Sequence, residues 1–530
     1  MDLLSLQYIL FTGALLAAFY GLPACRESLR HFQWILLLAA SLLMYWICGG
    51  IHILFILLTS FTIYVCGLLL SVTNARMKAL RKDKALSKEV KHLRRAKLLR
   101  CKRLILTAGL LINFGILAYL KYWNALFPSG TGAGALILPL GISFYTFQSV
   151  SYLIDIYGGK YAAEQNYAHF LLFVSWFPQL LQGPIGRYDR LRDQLLGEHR
   201  PDREKADRAI YLILFGLMKK YAIADMLSAP VSSILDGDMQ TVPGSLVVFG
   251  ILLYSAQQYA DFSGGIDVIR GVSALFGIEL DLNFRQPYFS VSLGDFWRRW
   301  HISLGAWMRD YLFYPFALTK PMQSFGKWCQ KHFGRHFGRV LPAGIANILV
   351  FFVVGIWHGA QLHYVFWGLY NGIVIALSDL TSPFWKGLGN RLGVKETSRG
   401  FHVFRILRTF LIVNIGWYFD RIYTAANELQ AFRATFLRFG AGRFAQAFHD
   451  RIVTPGGGSF AALGGFVIAA AALVLLFLDS IIRERGGDPF ILLQQRGVLL
   501  RPVLCYAVIM LIFSSFVFTA SAGGFLYANF

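Results

Sequence analysis

Charge is what this sequence has least of. Only 15% of its 530 residues are Asp, Glu, Lys or Arg, against 56% hydrophobic and 16% aromatic, and the mean hydropathy is +0.51. So small a polar complement cannot clothe a water-soluble chain of this length, and that class is excluded. Acids are scarcer than bases, 29 against 51, which leaves a net charge of +22. Cysteine is sparse too. Cys25, Cys48, Cys66, Cys101, Cys329 and Cys505 are scattered with no paired spacing, which argues against a disulfide framework or a zinc site and predicts no bound metal. No internal repeat or low-complexity tract is visible. The opening segment lacks a basic n-region and a small-residue cleavage site, and a second apolar run follows at once, so it reads as a retained helix.

What the sequence has in abundance is uncharged apolar runs. Leu3 to Pro23, Phe32 to Thr73 and Leu104 to Leu120 are long enough for helices that cross a bilayer, which takes about 20 residues each. The second run holds two spans hinged at Gly49-Gly50. Further candidates lie near 134 to 157, 167 to 182, 207 to 227, 245 to 260, 340 to 357, 362 to 378, 402 to 419, 460 to 479 and 502 to 520. The expectation is an all-α polytopic membrane protein of about a dozen transmembrane helices, forming a single domain over 1–530.

Half of the net charge sits in one segment. Between Arg76 and Arg103 there are thirteen Lys or Arg against Asp83 and Glu89, a surplus of eleven. Flanked by spans, such a stretch is better explained by the positive-inside rule and anionic lipid than by nucleic acid, so no nucleic-acid partner is expected. A cytoplasmic 76–103 loop puts the N-terminus outside, and the basic loop before the last span, with Arg483, Arg485, Arg496 and Arg501, puts the 521–530 tail outside as well. Residues 420 to 451, external on this scheme, nevertheless carry Arg421, Arg433, Arg438, Arg443 and Arg451, and the orientation of 420–458 stays open.

Titratable groups in apolar surroundings are costly and therefore candidates for function. They are densest between Gln257 and His363. Gln258 and Asp261 come first, then Asn283, Arg285 and Gln286, then Phe296-Trp-Arg-Arg-Trp-His-Ile-Ser-Leu304 with Arg309 and Asp310. No 20-residue apolar run passes through 281–312, although it is rich in aromatics, so it suits a re-entrant or interfacial helix inside protein. The second element is Val354-Gly-Ile-Trp-His-Gly-Ala360, which puts Trp357 and His358 near one end of a span. Histidine suits general acid/base work because its ordinary pKa, about 6.5, lies near working pH. On spacing alone His358 fits a hydrogen-bonded structural residue as well as a base. Arg298, Arg299 and Arg309 fit interfacial anchors as well as substrate ligands. The basic stretch Lys320 to Arg339, with no acids, fits either attraction of a phosphorylated or acidic donor or a loop held at the cytoplasmic surface.

Taken in order, these segments resemble the membrane-bound O-acyltransferase superfamily, in the bacterial polysaccharide branch typified by the alginate O-acetyltransferase membrane subunit. The series runs through Leu138-Pro-Leu-Gly-Ile-Ser-Phe-Tyr-Thr-Phe-Gln148, Phe177-Pro-Gln-Leu-Leu-Gln-Gly-Pro-Ile-Gly-Arg-Tyr188, Asp261-Phe-Ser-Gly264, Asn283 with Gln286-Pro-Tyr288, Phe296 to Leu304 with Arg309-Asp-Tyr-Leu312, and Trp357-His-Gly359. It is close over roughly 135–380 and loose elsewhere. The resemblance implies helices around a central cavity, His358 as the catalytic histidine and His301 as a second polar active-site residue. Trp357, Arg298, Arg299, Arg309, Asp310, Asp261 and Gln258 are then candidates for substrate binding. The tail Phe525-Leu-Tyr-Ala-Asn-Phe530 looks like the branch's F-x-Y-x-x-F ending, which makes Tyr527 a candidate acyl relay, with an aromatic interface anchor as the other reading.

The expected activity is transfer of an acyl group, acetyl foremost, from a cytoplasmic thioester (acetyl-CoA or an acyl carrier protein) toward O-acylation of an envelope or extracellular polysaccharide, with no cofactor held. The family context implies an extracytoplasmic O-acetyltransferase partner of the serine-hydrolase type and residence in the bacterial inner or plasma membrane among its lipids. A D-alanyl transferase for teichoic acid is the nearest alternative. A transporter or flippase shares the broken helices and buried charge, but no two-fold repeat is visible.

Overall fold

The computed structural model describes residues 5–126, 138–454, 459–495 and 500–518. Among them all regular structure is helical, apart from one isolated antiparallel bridge between Phe284 and Trp300. The chain divides into two compact units, residues 1–209 with 269–281 and residues 210–268 with 282–530.

Among the described residues six helices are long and apolar enough to cross a membrane: Leu6–Cys25, Glu27–Lys82, Lys88–Trp123, Arg335–His358, Ala462–Glu484 and Leu500–Phe518. The second of these bends where the hinge is expected. Helix Gln33–Gly49 stops, Gly50 takes a left-handed φ of 52° that a side chain would resist, and helix Ile53–Lys82 begins after one tight turn. Of the other expected spans, 167–182 breaks at Trp176 into the short helices Tyr167–Ser175 and Phe177–Gln182, and two more are continuous helices of more polar character. Gly244–Leu275 carries Gln257, Gln258 and Asp261, and Leu362–Leu380 carries Asn371 and Asp379. Their polar side chains Gln257, Gln258, Asp261 and Asn371 are buried in protein, which is where such groups are tolerated at membrane depth. The chain is a multi-pass membrane protein by this inventory.

The first unit contains a polar knot in the loop after helix Ile142–Gly158. Glu164 accepts hydrogen bonds from the Tyr188 hydroxyl at 2.6 Å and Arg192 Nε at 3.0 Å, and its own N–H donates to Tyr152 at 2.8 Å. Burial alone would raise this carboxyl. Those hydrogen bonds, another from the Asn166 N–H, and the Arg192 charge outweigh it and pull the group down to about 2.

The second unit holds the candidate site, and a helical hairpin frames it. Arg335–His358 and Leu362–Leu380 run antiparallel, joined by Gly359-Ala360-Gln361. A Cβ on Gly355 would lie 2.4 Å from the Tyr364 carbonyl oxygen, one on Gly368 2.3 Å from that of Phe351, and one on Gly372 2.8 Å from the Ile348 Cα. Only glycine permits so close an approach, as in other small-residue helix contacts in membranes.

Candidate active site

His358 is the last residue of its helix, and the hairpin fixes the place of its ring. Tyr364 stacks on the imidazole at 5.7 Å and 25°, and Trp367 meets it edge-on at 5.1 Å. A Cβ on Gly359 would come within 2.7 Å of the Tyr364 ring, so the Trp-His-Gly order keeps room for the ring that covers His358. Trp357 packs against the same imidazole at 4.8 Å and faces the His301 ring at 6.4 Å.

His301 arrives by a different route. The chain from 281 to 312 forms no span. It folds as helices Leu293–Arg299 and Ile302–Met308 around a turn. Within that turn His301 adopts φ 46°, ψ 53°, one of two non-glycine residues in the left-handed region among the described residues, the other being Gln286. A side chain held there costs about 1–3 kcal/mol, which the surroundings must supply. Asn283 supplies much of it. Its Oδ1 accepts from the Ser303 N–H at 3.0 Å and the Ser303 hydroxyl at 2.9 Å, and lies 3.3 Å from His301 Nδ1. Its carbonyl takes the Ile302 N–H at 3.0 Å, while Arg285 N–H reaches the Arg299 carbonyl at 2.9 Å. The Phe262 ring closes the far side edge-on at 4.9 Å.

Both histidines line one cavity of about 820 Å³. It extends along the hairpin from His358 past Val354, Phe351 and Asn347 to Asp379. Trp297, Trp300 and Trp367 give it aromatic walls, and Arg285, Arg298 and Arg309 contribute positive charge. That combination suits a substrate with an apolar or uncharged reacting end and an anionic remainder.

Of the residues singled out in the sequence, His358, His301, Arg298 and Arg309 come together here. Trp357 is buried behind the two rings. Arg299 turns away to Asp295 at 3.2 Å and Glu484 at 2.6 Å. Asp310 pairs with Arg309 at 3.0 Å beside the cavity. Asp261 meets Lys220 at 2.9 Å, and the same ammonium lies 2.8 Å from Asp225. Gln258 donates to Asp420 at 2.9 Å, which also takes the Tyr254 hydroxyl at 2.6 Å. Asp261 and Gln258 therefore serve buried polar contacts between helices and lie outside the cavity lining. Tyr527 lies outside the described residues. Sequence reasoning passed over Trp367, Tyr364, Asn347 and Asp379. The signal was present for two of them: Tyr364, Trp367, Asn371, Ile375 and Ser378 recur at spacings of three and four, one face of a helix.

Residues 163–389, which include every cavity residue named above, match the model of the MBOAT, membrane-bound O-acyltransferase family. The chain resembles that family over less than half of its length. Among relatives, it is 34% identical over 321 residues to a probable alginate O-acetylase of Pseudomonas syringae pv. tomato, covering 58% of this chain and 56% of the relative. It is 30% identical to a peptidoglycan O-acetyltransferase of Helicobacter pylori over 61% of this chain and 63% of that one. It is 27% identical to a teichoic acid D-alanyltransferase of Streptococcus thermophilus over 48% and 59%. The matched stretch spans less than two thirds of each relative's length.

Proposed function

We propose that the chain is a membrane O-acyltransferase that takes an acetyl group from a thioester donor at the cytoplasmic face and passes it on for O-acetylation of an envelope or extracellular polysaccharide. The observation that carries this reading is the convergence of His301 and His358 on one arginine-flanked cavity. In the reaction, an acceptor hydroxyl attacks the thioester carbonyl while His358 takes its proton. The charge that gathers on the carbonyl oxygen is steadied by a donor such as His301, and collapse of the adduct releases the thiolate, which recovers the proton from His358. Arg285, Arg298 and Arg309 suit the phosphates of a coenzyme A donor, because guanidinium binds phosphate through paired N–H groups.

Tyr527 is the proposed acyl relay between this chemistry and the far side of the membrane, where a partner of the serine-hydrolase type would complete transfer to the polymer. The membrane is then the bacterial inner membrane, with both termini outside. Incubating the purified protein with labelled acetyl-CoA, and in parallel with a D-alanyl carrier thioester, tests donor and relay together. Acetyl label recovered on the C-terminal peptide, and lost in Tyr527→Phe, is the expected result. Label from the D-alanyl donor alone would move the chain to the teichoic acid reading. Substrate passage across vesicles without any acyl transfer would make it a transporter.

A further inference from the structure

Outside the cavity the second unit gathers a set of cations at one place, the cleft lined by Arg339 and Lys386. Some cations of this unit are matched, as Arg299 is with Asp295 and Glu484, Arg421 with Asp236 and Lys219 with Asp267. Arg335, Arg339 and Lys386 make no ion pair among the described residues, and neither do Lys327 and Lys331. Arg339 and Lys386 line a cleft of about 480 Å³ together with His336, Ser382 and Asp379. Asp379 is the sole acid of that lining, so the cleft keeps a positive balance.

The hairpin sets the level of this cleft. Arg339 lies in the second turn of a helix that has the length and apolarity of a span. Gly344 faces Ala376 across the hairpin, so Lys386, shortly past the end of the return helix, comes back to the same height. Nineteen residues separate Arg339 from His358, about 28 Å of helix rise. The cleft is thus at the end of the span away from His358, where headgroups meet the hydrocarbon.

Helix Lys320–Phe333 beside it has the build of a segment that lies on a membrane. Cys329 is its only buried residue. Gly326 and Gln330 pack on Gly338 of the spanning helix, Lys320, Lys327 and Lys331 share one outward flank, and Phe325, Trp328 and His332 form a stripe along the other. Phe325 stacks on Trp328 at 6.1 Å, and Trp328 stays half exposed. Across the cleft, helix Ser382–Arg391 presents Phe384 and Trp385, 64% and 60% exposed. Aromatics left in the open on both sides of a positive cleft fit the headgroup region of a bilayer better than water.

We propose that this cleft binds the phosphate of an anionic phospholipid, with Arg339 and Lys386 as its cationic ligands and helix Lys320–Phe333 lying along the membrane surface. Because Asp379 lines both this cleft and the reaction cavity, a bound lipid sits at the rim of the active site.

Native mass spectrometry of the full-length protein in neutral detergent, after exposure to phosphatidylglycerol or phosphatidylcholine, tests the assignment. The wild type is expected to keep phosphatidylglycerol preferentially. An Arg339→Gln, Lys386→Gln double variant should lose roughly tenfold of that retention with phosphatidylcholine binding unchanged. The charge-keeping pair Arg339→Lys, Lys386→Arg should keep most of it, which separates charge loss from misfolding. Equal retention of both lipids by the wild type, or undiminished phosphatidylglycerol on the double glutamine variant, overturns the proposal. So does weakened acetyl-CoA binding by that variant with lipid retention intact, which would give the cleft to the donor's phosphates.

Discussion

His358 and His301 line the same cavity, yet the chain delivers them in opposite ways. His358 ends a regular helix whose neighbour is pressed against it through Gly355, Gly368 and Gly372, so its position depends on how closely two backbones approach. His301 sits in a left-handed turn of an irregular segment, and its position depends on one side chain, Asn283, that gathers hydrogen bonds from the turn. The first arrangement is rigid by packing and fails when volume is added. The second is rigid by polar satisfaction and fails when an acceptor is removed.

The sharpest way to break the first arrangement is Gly368→Val. Its new atoms must enter space already held by the Phe351 carbonyl. Overpacking of this kind costs about 1–3 kcal/mol or more. A lowered thermal midpoint in detergent, together with lost transfer activity, is the expected outcome. An unchanged midpoint would mean that the hairpin contact is looser than the glycines indicate. For the second arrangement, Asn283→Ala strips the acceptor from Ser303 and leaves buried donors unmet, about 1–3 kcal/mol. Activity should fall while the hairpin stays folded, so hydrogen exchange should quicken in 281–305 and remain slow in 344–372. Equal loosening of both segments would merge what the comparison separates.

The smallest effect is expected in the first unit, away from both histidines. The Glu164 carboxyl lies at about 2 against an ordinary 4.5. A lowered value stabilises the fold at pH above the unfolded one, and that contribution drains away as pH falls from about 4.5 toward 2. Glu164→Gln should therefore flatten the acid limb of a stability curve over that window and leave the neutral region nearly parallel. An acid limb identical to the wild type would show that the knot of Tyr188 and Arg192 does not hold this carboxyl down.

Much of this is legible in the sequence itself. The Gly49-Gly50 hinge, the failure of 281–312 to make a span and the proximity of His358 to a helix end follow from hydropathy and glycine placement, which are local properties. What escaped depends on distant partners. Arg299 belongs to Glu484, 185 residues away, Gln258 to Asp420, and Asp261 to Lys220. Nothing near a buried acid in sequence tells whether it meets a substrate or a lysine on another helix. Trp367 and Tyr364 were hidden for another reason: their stripe reads as ordinary helix packing until the glycines opposite show how near the His358 ring must lie.

The direct test of the account is the rate of acetyl transfer from acetyl-CoA by a correctly inserted His358→Ala protein, set beside the wild type at equal amounts in membranes. Loss of a general base lowers turnover by about 10² to 10⁴, and that is the predicted result. Transfer at the wild-type rate would contradict the role given to His358 and, with it, the reading of the cavity as an acyltransferase site.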